Sequence, residues 1–144
     1  MKYIQKIKSI LAGQKFGVLA TSDGRKPYQN IIAFAETADL KGVFFATPKQ
    51  TSKYRNLKKN SNLSIFVDDR KNDERDIGNA TGIAILGKSF EQKGIGRRKA
   101  LARYLKKHPS LKEFAESPSN SIFLAKIEKI VAVNRFQNVV EIEP

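Results

Sequence analysis

The sequence predicts a mainly β (α+β) fold, in which an antiparallel sheet of six to seven strands closes into a small barrel with three to four peripheral helices. Short runs rich in β-branched and aromatic residues follow one another with turn residues between them. Helical spacing is confined to a few segments, and strands do not alternate regularly with helices as they do in parallel α/β folds. The 144 residues, 40% of them hydrophobic, suit a single domain, which we expect to span residues 1–144.

The first half of the chain combines one helix with several hairpin strands. The opening helix is predicted from apolar residues that recur at helical spacing before Gly13, namely Tyr3, Ile4, Ile7, Ile10 and Leu11. The next runs, "FGVLAT", "YQNIIAFA" and "VFFAT", read as strands separated by the turn Ser22-Asp23-Gly24 and the loop "ADLKG". A helix then begins at Thr51 or Ser52 and ends at Asn60, and the strand "LSIFV" follows it.

The second half begins with the charged loop "DDRKNDERDIGN", which we expect to be exposed or folded over a partner. The strand "TGIAILGKSFEQ" follows, and then a helix over residues 97–107 that stops at His108-Pro109. A short second helix runs through Leu111 and Phe114, and the segments "SIFLAKIEKIVAVNRF" and "VVEI" supply two or three closing strands. We expect the strands to form a continuous meander.

Composition limits the functional classes. The 27 Lys and Arg against 14 Asp and Glu give a net charge of +13, which attracts nucleic acid, anionic lipid or a phosphorylated small molecule. The chain has no cysteine, which excludes disulfides, thiolate metal sites and a cysteine nucleophile, and fits a cytoplasmic location. Its apolar stretches, such as "IIAFA", are far below the roughly 18 residues that span a bilayer. We therefore expect no signal peptide, no transmembrane helix and no membrane partner.

Few residues of the chain offer acid–base or metal chemistry. His108 is the one histidine, so a histidine-based triad or a multi-histidine metal site is excluded, and its place at a helix end predicts an exposed residue. The acidic residues of the charged loop alternate with basic ones and lack the glycine spacing of a calcium loop, so we expect a solvated loop and no metal site: Asp68, Asp69, Asp73, Glu74 and Asp76. The sequence also lacks a Walker loop and a GxGxxG motif.

The start of the helix at Thr51 is a candidate anion site. The first N–H groups of a helix have no partner inside it, and Thr51, Ser52 and Lys53 add hydroxyls and a positive charge there. A phosphate could contact all of these groups together. The alternative is an ordinary capped surface helix with a basic outer face, because lysine and arginine are common on helix surfaces.

The order of these elements resembles that of a known family. The sequence contains, in order, "LATSDG", an aromatic-x-Thr strand end (Phe45-Ala46-Thr47), a Thr-Ser-Lys helix start and the helix motif "RNLKKN". This set is similar to the FMN-binding split-barrel family related to pyridoxamine 5'-phosphate oxidase, and the resemblance covers about residues 1–90 well and the tail "VNRFQNVVEI" more weakly. It implies a small antiparallel split β-barrel that binds FMN.

The resemblance also implies a set of cofactor-binding residues. In that pattern the second strand runs along the flavin ring, the end of the third lies beside the ring or ribityl chain, and the helix start holds the phosphate. The residues at these positions are Gln29, Asn30, Ile31 and Ile32 on the second strand, Ala46 and Thr47 on the third, and Thr51, Ser52 and Lys53 at the helix start, with Asn56 as a weaker candidate. Members of the family are usually homodimers with flavin at the interface, so Arg70 is expected either to reach the flavin of the other chain or to form a surface salt bridge.

The function that the resemblance implies is transfer of hydride or electrons between FMN and an unidentified small molecule. The sequence identifies no catalytic residue, and it lacks the C-terminal arginine and tryptophan substrate motif of the oxidase itself, which argues against that substrate. The same fold with haem or a deazaflavin is one alternative.

Another alternative is a non-enzymatic basic nucleic-acid-binding module. Residues 40–67 carry six basic residues and no acid, and residues 92–112 carry eight basic residues and no acid. Against that alternative, the aromatic residues of these strands alternate as core residues would, instead of interleaving with the charges as a stacking platform requires: Phe44, Phe45, Phe66 and Phe90.

Overall fold

Seven antiparallel strands form one sheet in the computed structural model, which describes residues 2–144. The order of the strands is β3-β2-β1-β4-β5-β6-β7, and an additional pairing of β3 with β6 closes six strands into a barrel, with β7 as an extra strand beyond it. Their bounds are β1 Phe16–Ser22, β2 Pro27–Glu36, β3 Gly42–Pro48, β4 Asn62–Asp68, β5 Thr81–Glu91, β6 Asn120–Asn134 and β7 Asn138–Ile142. The predicted fold class and strand number are confirmed.

The strand order corrects the predicted continuous meander. Strand β4 pairs with β1 and β5, not with β3, because a helix carries the chain across the end of the barrel between β3 and β4. A hydrogen bond from Asn56 Nδ2 on that helix to Thr21 Oγ1 at the end of β1, 3.1 Å long, holds the crossing in place. The barrel thus closes through two non-local pairings, β1 with β4 and β3 with β6.

The described part of the chain contains five α-helices where three to four were predicted. They are α1 Lys2–Gly13, α2 Ser52–Lys59, α3 Asp76–Asn79, α4 Gly94–Lys107 and α5 Lys112–Glu116, with a 3-10 turn at Pro109–Leu111. The unpredicted helix, α3, lies in the charged loop, where the Asp76 carboxylate accepts hydrogen bonds from the N–H groups of Lys71 and Asn72. Of these helices, none has the length and hydropathy needed to cross a bilayer.

The inward-facing residues of the strands form the main core. Leu19, Phe34, Ile65 and Ile85 are fully buried in it, and Ile7 of α1 packs against the same cluster. The alternation of buried and less buried residues along β1, β4 and β5 follows the period of two of a half-buried strand. The core therefore results from the periodicity that the sequence shows.

The outer surface of the barrel has two different faces. Over β2, β3 and β6, helix α4 buries Ala100 and Tyr104 against outward-facing residues such as Ala35 and Ile122. The opposite side carries a row of apolar residues that are paired directly across five strands, and we call this row the open face: Ile31, Val18, Phe66, Ala84 and Val131. Within it Ile31 is 72% exposed and Phe66 is 42% exposed.

Candidate functional site

The barrel is open between β2 and β3. These two strands pair only beside the loop that connects them, where Phe34, Ala35 and Glu36 lie opposite Phe45, Phe44 and Val43, respectively. Beyond that point residues 27–33 of β2 remain paired with β1, whereas residues 46–48 of β3 remain paired with β6. We call the gap between these two segments the split.

The edge of β2 at the split exposes backbone groups of two predicted site residues. The N–H of Phe34 donates to the carbonyl of Lys15, on the side of β1, at 3.3 Å. Because N–H and C=O groups alternate in direction along a strand, those of Gln29 and Ile31 point to the other edge, toward the split. This alternation turns the backbone of Ile32 toward β1, and the Ile32 side chain is buried in the core.

Asn30 contributes a half-buried polar side chain beside this edge. It pairs with the inward-facing Leu19, and its Nδ2 donates to the carbonyl of Ile31 at 3.1 Å. Its Oδ1 is buried and, within residues 2–144, has no hydrogen-bond partner. A buried acceptor without a donor is unfavourable, so this atom is suited to accept a hydrogen bond from a ligand N–H.

Two threonines fix the junction between β3 and α2. Thr51 is the N-cap of α2: its Oγ1 accepts from the N–H of Tyr54 at 3.3 Å and donates to the carbonyl of Pro48 at 2.9 Å. The Thr47 hydroxyl lies 3.1 Å from that of Thr51 and is fully buried, and Ala46 beside it is buried as well. Both hydroxyls therefore serve the turn, and the cap leaves the first N–H groups of α2 at the surface.

Lys53 differs from the other lysines of α2 in its surroundings. Its side chain is partly buried, burial lowers its pKa, and no carboxylate of the described chain lies within ion-pair distance of it. Lys58, by contrast, is paired with Glu91 at 3.2 Å. A partly desolvated ammonium without a counter-ion, next to a helix N-terminus, favours an anionic ligand.

The two other predicted site residues on α2, Ser52 and Asn56, differ in what their side chains contact. Ser52 is exposed, and its Oγ accepts from Arg55 Nη2 at 3.1 Å, so it stays accessible at the helix start. Asn56 is engaged with Thr21, as described above, which assigns it a role in holding α2 on β1. The structure thus brings Thr47, Thr51, Ser52 and Lys53 together.

Arg70 lies away from this cluster within one chain. It follows β4, whereas α2 precedes it, and a seven-residue strand separates the two ends by about 20 Å. Its Nε contacts Asp68 Oδ2 at 3.0 Å, so the expected surface salt bridge is present. Contact of Arg70 with a cofactor would need a second copy of the chain.

Glu91 was not identified from the sequence. Its side chain is only 10% exposed and accepts hydrogen bonds from Tyr54 Oη at 3.1 Å, from Lys58 Nζ at 3.2 Å and from Ser121 Oγ. Burial raises the pKa of this carboxyl, but the bonds from Ser121, Lys58 and Tyr54 outweigh burial and hold the pKa below its usual range. Its one sequence signal is that it is the last acid before the basic segment 92–112.

The structure corrects the predicted exposure of His108. This residue is buried, its Nε2–H donates to the carbonyl of Phe34 at 2.6 Å, and its ring lies 5.1 Å from that of Tyr104. The reason is that the end of α4 packs against β2 instead of projecting into solvent. Nε2 is therefore engaged inside the fold, and the described residues contain no group of three or more His, Cys, Asp or Glu that could hold a metal ion.

The aromatic residues of the strands also differ in part from expectation. Phe45 is buried and Phe44 is half-buried, as predicted for core residues. Phe66 and Phe90 are 42% and 50% exposed, so the prediction was wrong for these two, because they point to the outer side of their strands. Phe66 contributes to the open face.

Comparison with known structures gives the same fold at low sequence identity. A haem-binding protein from Mycobacterium smegmatis superposes with a TM-score of 0.83 at 14% identity, over 94% of this chain and 55% of that one. General stress protein 26 from Bacillus anthracis strain Sterne gives 0.75 at 21% identity, over 99% and 100% of the two chains. A FAD-binding protein from Mesorhizobium loti gives 0.73 at 16% identity, over 90% of each chain. The chain spans just over half the length of the haem-binding protein.

Sequence comparison adds the family. No curated protein gives a significant match. The family model described as pyridoxamine 5'-phosphate oxidase, however, matches residues 4–134, which is most of the chain. Since this match covers the barrel and the split, and the solved structures share the fold, the chain belongs to the pyridoxamine 5'-phosphate oxidase family.

Proposed function

We propose that this chain binds FMN at the split and transfers hydride or electrons between the flavin and a small molecule. The observation on which the proposal rests is Lys53, a partly buried ammonium that lacks a carboxylate partner in the described chain, beside the capped start of α2. Membership of the family and the similarity to a FAD-binding protein support the binding of a flavin. The charge and hydrogen-bond donors at the start of α2 support a contact with the phosphate group of FMN.

The phosphate would be held by groups at the start of α2. The Lys53 ammonium supplies the charge, the N–H groups of Ser52 and Lys53 point outward from the helix end, and the Ser52 hydroxyl is exposed. Thr51 would hold the helix start in place, since its hydroxyl already caps α2 and donates to Pro48. This donor set suits a phosphate dianion.

The ring would lie along the edge of β2. The N–H and C=O groups of Gln29 and Ile31 point toward the split, and the orphaned Oδ1 of Asn30 can accept from the N–H of the flavin's uracil-like half. Ala46 and Thr47, on the far side of the split, would border the ring or the ribityl chain. When bound, the flavin supplies the redox chemistry, while these residues orient it and exclude water.

The functional unit is proposed to be a homodimer formed through the open face. Contiguous apolar surface of this kind is uncommon on monomers, and a row of aliphatic and aromatic residues is self-complementary in character. Arg70 follows β4 and pairs with Asp68, which is two residues from Phe66 on the same outer side. A second copy docked on this face would bring its Arg70 close to the split of the first chain, which the first chain's own Arg70 does not reach.

A comparison of FMN with riboflavin tests the proposal. Titration of the purified protein, followed by flavin fluorescence, is expected to show FMN binding at least about tenfold tighter than riboflavin, because one charge-assisted contact is worth roughly 1.5 kcal/mol or more. Equal affinities would contradict the phosphate site. Haemin and a deazaflavin are titrated in parallel, and tighter binding of either one than of FMN would identify that molecule as the cofactor in place of FMN.

The redox part of the proposal needs a separate measurement. With FMN bound, addition of NADH or NADPH under anaerobic conditions is expected to bleach the visible absorption of the flavin, and readmission of oxygen or a quinone is expected to restore it. If none of several classes of electron donor reduces the bound flavin, the result would contradict the proposed oxidoreductase activity and would support flavin binding alone.

A further inference from the structure

The outer side of α4 is strongly basic. Because the helix buries Ala100 and Tyr104 against the barrel, the residues about half a turn away from these two face the solvent. Over the whole segment 92–112 the chain has eight basic residues and no acidic one. The exposed side chains on the outer side of the helix include one large apolar residue, one alanine and four cations: Ile95, Ala102, Arg98, Lys99, Arg103 and Lys106.

The four cations surround the alanine. Arg98 and Lys99 lie one turn before Ala102, Lys106 lies one turn after it, and Arg103 is its neighbour in the chain. Because the alanine side chain is short, a bound molecule can approach the helix backbone between the charged side chains. We call these four cations, with Ala102 at their centre, the α4 basic face.

The cations of the α4 basic face lack counter-ions in the described part of the chain, where none of the four lies within ion-pair distance of a carboxylate. Arg103 donates through Nε and Nη2 to the carbonyl of Glu36, at 3.3 and 3.2 Å, which fixes its side chain and leaves Nη1 for a ligand. Three basic residues outside the face, by contrast, each contact a glutamate: Lys93, Lys107 and Lys112.

This pattern of charge is unfavourable for the helix itself. Lys99 and Arg103 are four positions apart, Arg103 and Lys106 are three apart, and like charges at these spacings repel each other on a helix. The first turn of α4 also has no acidic residue, and its N-cap, Lys93, makes no side-chain cap, so the helix dipole is not compensated there. Helix formation therefore does not explain the face, whereas an anionic partner would supply the missing counter-charges.

The positive surface continues on the strands beside α4. Lys126 of β6 lies directly opposite Lys88 of β5, both side chains are exposed, and neither has an ion pair within residues 2–144. Since side chains alternate along a strand, Lys126 is on the same outer side of β6 as Ile122, against which α4 packs. Like charges opposite each other across a sheet also repel. A partner that contacts both groups of cations is an extended polyanion.

The composition of the α4 basic face favours a nucleic-acid duplex over other polyanions. Its cations span about 12 Å along the helix, at about 1.5 Å per residue, and the phosphates of each strand of a duplex follow one another about every 3.4 Å. A membrane surface requires apolar side chains that insert, but α4 buries its apolar side on the barrel and exposes Ile95 as its one large hydrophobic residue. Single strands require stacking aromatic residues, which the face lacks, whereas the bases of a duplex are already stacked.

From these observations we propose that the α4 basic face binds double-stranded nucleic acid through its phosphates. The face offers no side-chain hydrogen-bond acceptor, which reading of adenine or cytosine in a groove requires, so its contacts are with the backbone of the duplex. Helix α4 lies on the opposite side of the barrel from the open face, so the surface stays accessible in the proposed dimer. The inference does not rest on the binding of FMN.

Fluorescence anisotropy of a labelled duplex DNA of mixed sequence tests the proposal. Saturable binding with a Kd in the micromolar range is expected at about 50 mM salt, and four phosphate contacts predict that the logarithm of Kd rises with the logarithm of the salt concentration with a slope of about 3 to 4. A single strand of the same length is expected to bind more weakly. If the duplex shows no saturable binding at this salt concentration, the proposal is overturned.

Ala102→Glu tests the face without weakening the fold. The new carboxylate lies four positions from both Arg98 and Lys106, so it compensates the face, and the melting temperature is expected to be at or above that of the wild type. Duplex binding is expected to become at least about tenfold weaker, because the four cations then face a carboxylate of the chain itself. A variant that is folded and binds the duplex as the wild type does would overturn the proposal.

A pair of double variants separates the face from the general attraction of a basic protein. Lys99→Gln with Lys106→Gln is expected to lower the slope of the salt dependence by about 2 and to weaken binding at least about tenfold, because two phosphate contacts are lost. Lys26→Gln with Lys59→Gln removes the same charge from exposed residues of the β1–β2 turn and α2, and is expected to change the affinity less than about threefold. Equal effects of the two double variants would overturn the proposal.

Two competition measurements distinguish the remaining possibilities. Vesicles of phosphatidylcholine and phosphatidylserine are expected to bind the protein more weakly than the duplex does, and tighter binding that Ala102→Glu abolishes would assign the face to a membrane instead. FMN is expected to leave duplex binding unchanged, because the split and the start of α2 are separate from the α4 basic face. Displacement of the duplex by FMN would place the duplex at the cofactor site and overturn a separate surface.

Discussion

The hydroxyl of Tyr54 donates a hydrogen bond to the carboxylate of Glu91 at 3.1 Å, which joins the first turn of α2 to the end of β5. Burial, and then the bond to Glu91, raise the pKa of Tyr54, so the hydroxyl stays protonated and remains the donor. The Tyr54 ring packs edge-on against Phe123 of β6, with centroids 5.8 Å apart. The helix that would hold the phosphate is thereby fixed to two strands of the barrel.

Replacing Glu91 by glutamine is expected to lower the free energy of unfolding by about 1–3 kcal/mol, because Lys58, Tyr54 and Ser121 then face a neutral amide instead of a buried carboxylate. Denaturant unfolding measures this change. The matched control is Glu128→Gln, an exposed glutamate on β6, which is expected to stay within about 0.5 kcal/mol of the wild type. Equal effects of the two substitutions would contradict the role given to Glu91.

The pH dependence of stability should show the titration of the Glu91 carboxylate. The pKa of Glu91 is lowered in the folded protein, so its contribution is fully present above its ordinary pKa of 4.5 and is lost as the pH falls through the lower folded value. The wild type is therefore expected to lose more stability than Glu91→Gln as the pH is lowered from 5. Thermal unfolding of both proteins along this series measures the difference, and parallel curves would show that Glu91 does not titrate as described.

Lys53→Ala is expected to weaken FMN binding by about 2 kcal/mol, or roughly thirtyfold, because it removes the one charge proposed to contact the phosphate. Riboflavin, which has no phosphate, should bind the variant and the wild type equally. Both affinities are measured by fluorescence titration.

The control for Lys53 is Lys59→Ala. Lys59 is an exposed lysine on the same helix, so its removal lowers the net charge by the same amount without touching the proposed site. It is expected to change FMN affinity by less than about threefold, since exposed charges interact weakly through water. An FMN affinity that Lys53→Ala leaves unchanged would remove Lys53 from the site.

Local chemistry explains which parts of the structure could be predicted. The start of α2 at Thr51 and its end at Asn60 depend on capping by the residues at its two ends, and the structure has both as predicted. The alternation in β1 and β5 likewise reflects neighbours in the chain. For this reason the fold class and the grouping of Thr51, Ser52 and Lys53 followed from the sequence.

The features that were missed depend on contacts between distant residues. The partners of Glu91 on α2 and β6 lie 37 and 30 positions away, and no local pattern marks them. The burial of His108 depends on its bond to Phe34, 74 positions away, and the pairing of β4 with β1 depends on where α2 crosses the barrel. The orphaned Oδ1 of Asn30 also became visible only once the packing around β2 was known.

The open face predicts a dimer at micromolar concentration, because apolar surface on Ile31, Val18 and Phe66 is removed from water when two copies pair. Ala84→Glu places a charge within this face, directly beside Phe66, and is expected to shift the protein to a monomer, as measured by light scattering or sedimentation. The control is Ile95→Glu, which adds the same charge at an apolar residue of α4 that is 63% exposed and lies outside the open face. This variant should remain dimeric.

If Arg70 completes the cofactor site from the second chain, Ala84→Glu should also bind FMN more weakly than Ile95→Glu does. A wild-type monomer that binds FMN fully would refute a site shared between two chains.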